Sequence, residues 1–426
     1  MGSRVTAPGP RQKRFAAYIE GLAKAAGHSD RHLPLANYCT GLLLPGDRKS
    51  VEPMAARIAP DKVRQTHQSM HHLVADAPWD DQQMLAEVRK QTLPAMQKQG
   101  PVVAWTVDDT GIPKKGKHSV GVARQYCGQL GKQENCQVAV SLSISTWSSS
   151  LPIAWRLYLP ESWTNDDERR AKTKVPEEIS FQTKPKIAID QIRQAVAQGV
   201  PQGVVLADAA YGSDTDFRTS LTELKLPYVV GIQSRATVWE PGHIPSKASK
   251  ARKRLRRDPK YPPVSVKEVA LSFPPWFWKN VQWREGTQRK LVSRFAAIRV
   301  SPAHGDQEHA EQWLLIEWPK DAPEPTKYWF SSMPDTTKLK DLVKMAKHRW
   351  LVERDYEELK QELGLGHFEG RGWRGFHHHA TLSIAAYGFL VSERNRFPPS
   401  AHVGVVGLCA ATPPPGFRPR GAPDPA

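Results

Sequence analysis

The hydrophobic rhythm of the chain changes twice. From residue 11 to about 95, apolar side chains recur at helical spacing: Phe15, Ile19, Leu22 and Ala23, then Met54 and Ile58, then Val63, His67 and Met70 beyond Pro60. Pro45-Gly46-Asp47 and Ala77-Pro78 punctuate the stretch. The pattern predicts a helical N-terminal domain over residues 1–97. From Gly100 the texture becomes strand and helix in succession. Val102–Val107, Gln137–Thr146 and Leu151–Leu159 read as strands, and Lys186–Val200 as a helix. Val204–Ala207 reads as a buried strand, Thr215–Leu224 as a helix and Tyr228–Ile232 as another strand. Three neighbouring strands followed by helix, strand, helix and strand predict an α/β domain with a mixed sheet. Residues 235–333, rich in Trp, Pro and basic side chains, interrupt it with β-like pieces at Leu291–Val300 and Glu311–Trp318. Helices resume at Thr336 and run to about Asn395, so the α/β domain occupies 98–234 and 334–396. The Pro- and Gly-rich segment 397–426 predicts a poorly ordered tail.

Charge narrows the partners. Hydrophobic residues make up 39% of 426, enough for a sizeable core, yet 60 Lys and Arg face 43 Asp and Glu for a net charge of +17. Such a surplus favours a polyanion, because each cation set against a phosphate releases condensed counterions. A membrane surface is the competing polyanion. No run of about 18 apolar residues and no isolated basic amphipathic helix supports it. Met1–Arg14 lacks the apolar stretch of a signal peptide, and none of the four cysteines forms a Cys-x-x-Cys pair. A cytoplasmic, nucleoid-associated setting is the expectation, with neither zinc ribbon nor disulfide framework. His377, His378 and His379 point about 100° apart on a helix and cannot converge on one ion; they are expected at the surface or facing DNA. The run Lys250, Arg252, Lys253, Arg254, Arg256 and Arg257 precedes Trp276, Trp278 and Trp283. Basic and aromatic side chains together suit backbone gripping and base stacking, although a charge run is also what a solvated loop looks like.

Three acidic positions carry the candidate chemistry. The first strand runs into Asp108-Asp109-Thr110-Gly111, and the strand Val204–Ala207 into Asp208. In open α/β sheets functional groups gather at the carboxyl ends of strands. Two carboxylates on neighbouring strand ends repel unless a cation lies between them, and hard ions such as Mg²⁺ take such ligands. Asp after a strand also begins turns and caps helices, so either Asp alone decides nothing. Residues His348–Lys360 form a third element, a helix with Val352, Tyr356, Leu359 and Leu363 as its buried stripe. Arg349, Glu353 and Lys360 share one face beside that stripe. The acid could reach the two aspartates, or the face could be a surface with Arg–Glu pairs; the pattern leaves both open.

The spacing of Arg349, Glu353 and Lys360 resembles the Tyr-Arg-Glu-Lys signature of bacterial insertion-sequence transposases of the DDE type. Asp109-Thr110-Gly111-Ile112-Pro113-Lys114-Lys115-Gly116 and Asp208-Ala209-Ala210-Tyr211-Gly212 are similar to that group's two Asp motifs. Gly364–Arg371 and the His377-His378 helix resemble the insertion sequence 701 branch. The likeness runs from about Trp105 to Arg396. It implies an RNase H-like catalytic domain and a β-rich insertion between Asp208 and Glu353. It also implies two Mg²⁺ ions, with Mn²⁺ able to substitute, held by Asp109, Asp208 and Glu353. Arg349 and Lys360 would then position the phosphate backbone. The group's catalytic Asp directly precedes a Thr, which selects Asp109 over Asp108. The signature's Tyr would fall at Ala346, so this chain departs there. The implied activity is metal-dependent cleavage of double-stranded DNA at transposon ends and strand transfer to a target, by a homodimer in the synaptic complex. A transposase-derived DNA-binding protein without catalysis is the rival reading.

Overall fold

The computed structural model describes residues 9–239, 247–249, 252–255, 262–285, 290–303 and 309–398. Among the described residues the N-terminal stretch forms five α-helices: α1 (Pro10–Ala25), α2 (His32–Leu43), α3 (Val51–Ile58), α4 (Val63–Ala75) and α5 (Asp81–Gln97). Their periodic apolar residues Ile19, Leu22, Met54 and Met70 are buried. Asp80 caps α5 by accepting from the backbone N–H groups of Gln82 and Gln83. These helices lie against the long helix Trp373–Arg396. The Tyr18 hydroxyl donates to the Ala385 carbonyl at 2.8 Å, and the Phe15 and Phe389 rings meet at 4.9 Å. One apolar core therefore runs from α1 through the sheet to the last helix.

The sheet begins with β1 (Ala104–Pro113), β2 (Ala123–Cys127), β3 (Lys132–Ser145) and β4 (Ser150–Leu157), joined antiparallel. Then β5 (Val204–Ala207) adds parallel to β1, and β6 (Tyr228–Ile232) parallel to β5. The crossovers into β5 and β6 carry the helices Lys184–Ala197 and Thr215–Glu223. This mixed, helix-flanked sheet is the α/β class read from the sequence, with RNase H-like order. Strands of the segment 235–333 continue it: Lys327–Ser331 pairs with β6, Gln312–Trp318 with that strand, and Lys290–Pro302 beyond. Among the described residues no helix is long and apolar enough to cross a membrane.

Two expectations are corrected. The first strand does not end at the acids but continues through them to Pro113. Its antiparallel pairing with β3 extends over its whole length, whereas its parallel pairing with β5 stops at Thr106–Leu206. Asp108 and Asp109 thus sit where β5 leaves β1, in an opening of the sheet. The three histidines are neither at the surface nor free to face DNA: His377, His378 and His379 are 6%, 3% and 2% exposed. Their helix is buried almost without break from Gly375 to Asn395, as a helix enclosed on every side must be. Burial is possible because the rings find partners. His377 Nε2 accepts from the Leu157 amide, His378 stacks on Trp79 at 3.6 Å, and His379 joins the Tyr38 hydroxyl to the Gly364 carbonyl.

Candidate active site

Strand alternation separates the two aspartates of β1. Asp108 lies level with Ser141 of β3, whose hydroxyl bonds the Tyr356 hydroxyl at 2.7 Å on the helix Trp350–Gln361. Leu206, on the same face, packs with Leu342 and Val343 of the preceding helix Leu339–Lys347. Continuing the Thr106–Leu206 register by two residues brings Asp208 level with Asp108, and Asp208 keeps an extended backbone. Asp108 and Asp208 therefore look toward the helix that carries Glu353. Asp109 looks the other way: Lys184 Nζ pairs with its Oδ2 at 2.8 Å and the Tyr211 hydroxyl donates to its Oδ1 at 3.1 Å.

Arg349 ties the shared face together. Its Nη1 donates to Asp108 Oδ2 at 2.7 Å and its Nη2 to Glu353 Oε1 at 2.9 Å. The sequence read His348–Lys360 as one helix; the structure bends the chain at His348 and Arg349, and Glu353 lies in the first turn of the new helix. A carboxylate there is favoured by the helix dipole. Glu353 is 62% exposed, while Asp108 is nearly enclosed. Burial pushes the Asp108 carboxyl up to about 7; Arg349 pulls it down, and Asp109 and Asp208 add to the rise. Negative charge is thus concentrated at the opening of the sheet, with a guanidinium as its counterion.

Close packing explains the Asp-Ala-Ala-Tyr-Gly motif. Asp208 caps the short helix Ala209–Gly212 by accepting from the Ala210 amide. A Cβ on Gly212 would come 2.1 Å from the Gly231 carbonyl oxygen, and one on Gly231 2.9 Å from the Ala209 nitrogen. Only paired glycines let this turn rest on β6. Lys360 Nζ donates to the Gly111 carbonyl at 3.0 Å, so it faces β1 just beyond the acids.

The all-oxygen donor set suits a hard divalent cation. Among the described residues, no three His, Cys, Asp or Glu side chains already converge as a metal cage; Glu353 is held by Arg349. Of the basic run, Lys250, Arg256 and Arg257 lie outside the described residues. Arg252, Lys253 and Arg254 fall in the strand Arg252–Leu255. Trp276 is 72% exposed, while Trp278 and Trp283 pack edge-to-face on Trp318 and Phe295. Sequence reasoning missed Lys184, Tyr211 and Asp355. Tyr211 sits inside the second Asp motif and so had a signal; Lys184 had none. Asp355, wholly buried, accepts from Ser150 and from the Tyr387 hydroxyl at 2.7 Å, anchoring the glutamate helix to β4 and the last helix. An acid two residues from Glu353 gives no hint of that from spacing alone.

A sheet opening lined by acids from two neighbouring strands and a flanking helix is the mark of one class of enzyme. Residues 21–290 match the family described as DDE superfamily endonuclease, and the chain belongs to that family. The match begins near the end of α1, takes in α2 to α5, Asp108, Asp109 and Asp208, and ends before Glu353. The chain is also 31% identical over 188 residues to the "Probable transposase for insertion sequence element IS701" of Microchaete diplosiphon. That alignment covers 44% of this chain and 45% of the relative, so the chain spans about half the length of the curated relative it matches.

Proposed function

We propose that this chain is an insertion-sequence transposase, cutting double-stranded DNA at the ends of its element and joining the freed 3′ ends to target DNA. The observation that carries this reading is the Arg349 bridge. It draws Glu353 of a separate helix to Asp108, at the sheet opening that Asp208 also borders, in a chain of the DDE family. Asp208, Glu353 and the Asp108–Asp109 pair are the acids of the site and would hold two Mg²⁺ ions, or Mn²⁺ in their place. Resemblance to the family selects Asp109; the register and the Arg349 contact favour Asp108, with Asp109 steadying the Asp208 turn through Tyr211.

When bound, the ions supply a nucleophile of lowered pKa and charge for the leaving 3′-oxygen. The protein's own share is orientation. Arg349 contacts both Asp108 and Glu353, and releasing them frees its fork of N–H groups for a phosphate. Lys360 sits farther along β1 and would grip the next phosphate, which fixes the scissile bond relative to the acids. The +17 charge and the basic run Lys250–Arg257 suit the rest of a long duplex. Joining two element ends calls for two copies of the chain, so a homodimer in the synaptic complex belongs to the proposal. No feature of the site favours the non-catalytic alternative.

The test is cleavage of labelled DNA bearing the element's own ends, with Mg²⁺, with Mn²⁺ and with EDTA, by the wild type and Glu353→Gln. Metal-dependent cutting that the variant loses while still binding the ends is the expected result. Tight end binding without cutting by either protein would overturn it.

A further inference from the structure

Two hollows lie side by side where the N-terminal helices face the loop after the glutamate helix. The larger, of about 540 Å³, is bounded by α2, α3 and α4 on one side and on the other by residues 367–372 and the first turn of the helix Trp373–Arg396. The smaller, of about 470 Å³, opens over Lys114 and Lys115 and shares His367, Phe368 and Glu369 with the first. We infer that this continuous trough is a track for the phosphodiester backbone of DNA, an inference that rests on the transposase reading.

The trough is built from the two elements that carry the acids. Followed beyond Asp108, β1 reaches Lys114 after roughly 20 Å of extended chain, and Lys114 Nζ donates to the Phe368 carbonyl at 2.7 Å. Followed beyond Glu353, the glutamate helix ends at Gln361 and its chain turns at Gly364, φ +63°, into the far wall. A strand leaving the active site along these elements therefore reaches residues that line the trough.

The charge of the walls fits that occupant. Lys115, Lys174 and Arg371 are exposed, and their side chains form no hydrogen bond or ion pair among the described residues. Arg374 spends one N–H on the Asp76 carbonyl and is otherwise exposed. From the opposite wall α4 presents His67 and His71. The acids are Asp47, Glu52 and Glu369, and Glu369 is already paired with Arg48. A row of unpaired cations with polar donors across from it suits phosphates at regular spacing.

The experiment measures binding of the full chain to a duplex carrying the element's ends, and to an unrelated duplex of equal length, over a range of NaCl concentrations. The variants are the triple Lys115→Gln, Lys174→Gln, Arg371→Gln and a control, Lys98→Gln with Lys225→Gln, at the other end of the strands. All five side chains are exposed, and thermal melting checks that the fold is kept. If the trough holds phosphates, the triple variant lowers the slope of log K against log salt by about 2.7, at about 0.9 per lost contact. The control leaves the slope near that of the wild type. A wild-type slope in the triple variant, with metal-dependent cutting intact, overturns the trough and leaves the transposase reading standing. A wild type that neither binds nor cuts any duplex overturns that reading as well.

Discussion

Burial of the histidine cluster makes a quantitative demand on stability. Burial lowers the pKa values of His378 and His379 to about 4, and that of His348 to about 4. For groups whose pKa falls on folding, the unfolded chain binds the extra protons. Their contribution is therefore complete above the unfolded value near 6.5 and is lost as pH falls toward 4. Between pH 7.5 and 5.0 each such histidine costs about 2 kcal/mol, from about 1.4 kcal/mol per unit over the 1.5 units below 6.5. Three together approach roughly 6 kcal/mol, within the range of a domain's whole net stability. The perturbation is His378→Phe. Phenylalanine keeps the stack on Trp79 and removes an Nδ1 that meets no hydrogen-bond geometry among the described residues. It forfeits the Nε2 bond to the Trp79 carbonyl at 2.9 Å, which costs about 1 kcal/mol. At pH 7.5 the variant should be slightly less stable than the wild type; at pH 5.0 it should be more stable by about 1 kcal/mol. Urea unfolding at both pH values, followed by near-ultraviolet circular dichroism, reads the crossing. Equal losses on acidification in the two proteins would refute a buried, neutral His378.

Three further outcomes follow from the site. Asp108→Asn and Asp208→Asn should lower the cutting rate at saturating Mg²⁺ by at least about a thousandfold, and Asp109→Asn by about 10–100-fold as an outer partner; the reverse order for the β1 pair would assign the site to Asp109. Arg349→Lys keeps the charge but cannot span Asp108 and Glu353 with one planar fork, so cutting should fall about 100-fold with melting little changed. Gly212→Ala sets a methyl against the Gly231 carbonyl, and differential scanning calorimetry should find it destabilised by about 1–3 kcal/mol, with cutting impaired because Asp208 moves.

Periodicity alone determined a good part of this protein. The strands Val204–Ala207 and Tyr228–Ile232 fall where β-branched runs bounded by turn residues predict them. Of the stripe, Val352, Tyr356 and Leu359 are buried on the glutamate helix, and Leu363 is buried just past its end. These are local properties: a side chain's direction follows from its place in a helix or strand, and turn residues end both. Tertiary structure alone decided the rest. Asp108-Asp109-Thr110-Gly111 reads as the end of a strand, and pairing with β3 makes it the middle of one. Which aspartate meets the glutamate helix depends on where β1 lies against β5, a register set by chain about a hundred residues away. Three consecutive histidines look polar and external, and they are internal because a helix enclosed by α2, α5 and β4 has no outer face to offer. Burial and register depend on partners distant in sequence, and no pattern within one segment carries that information.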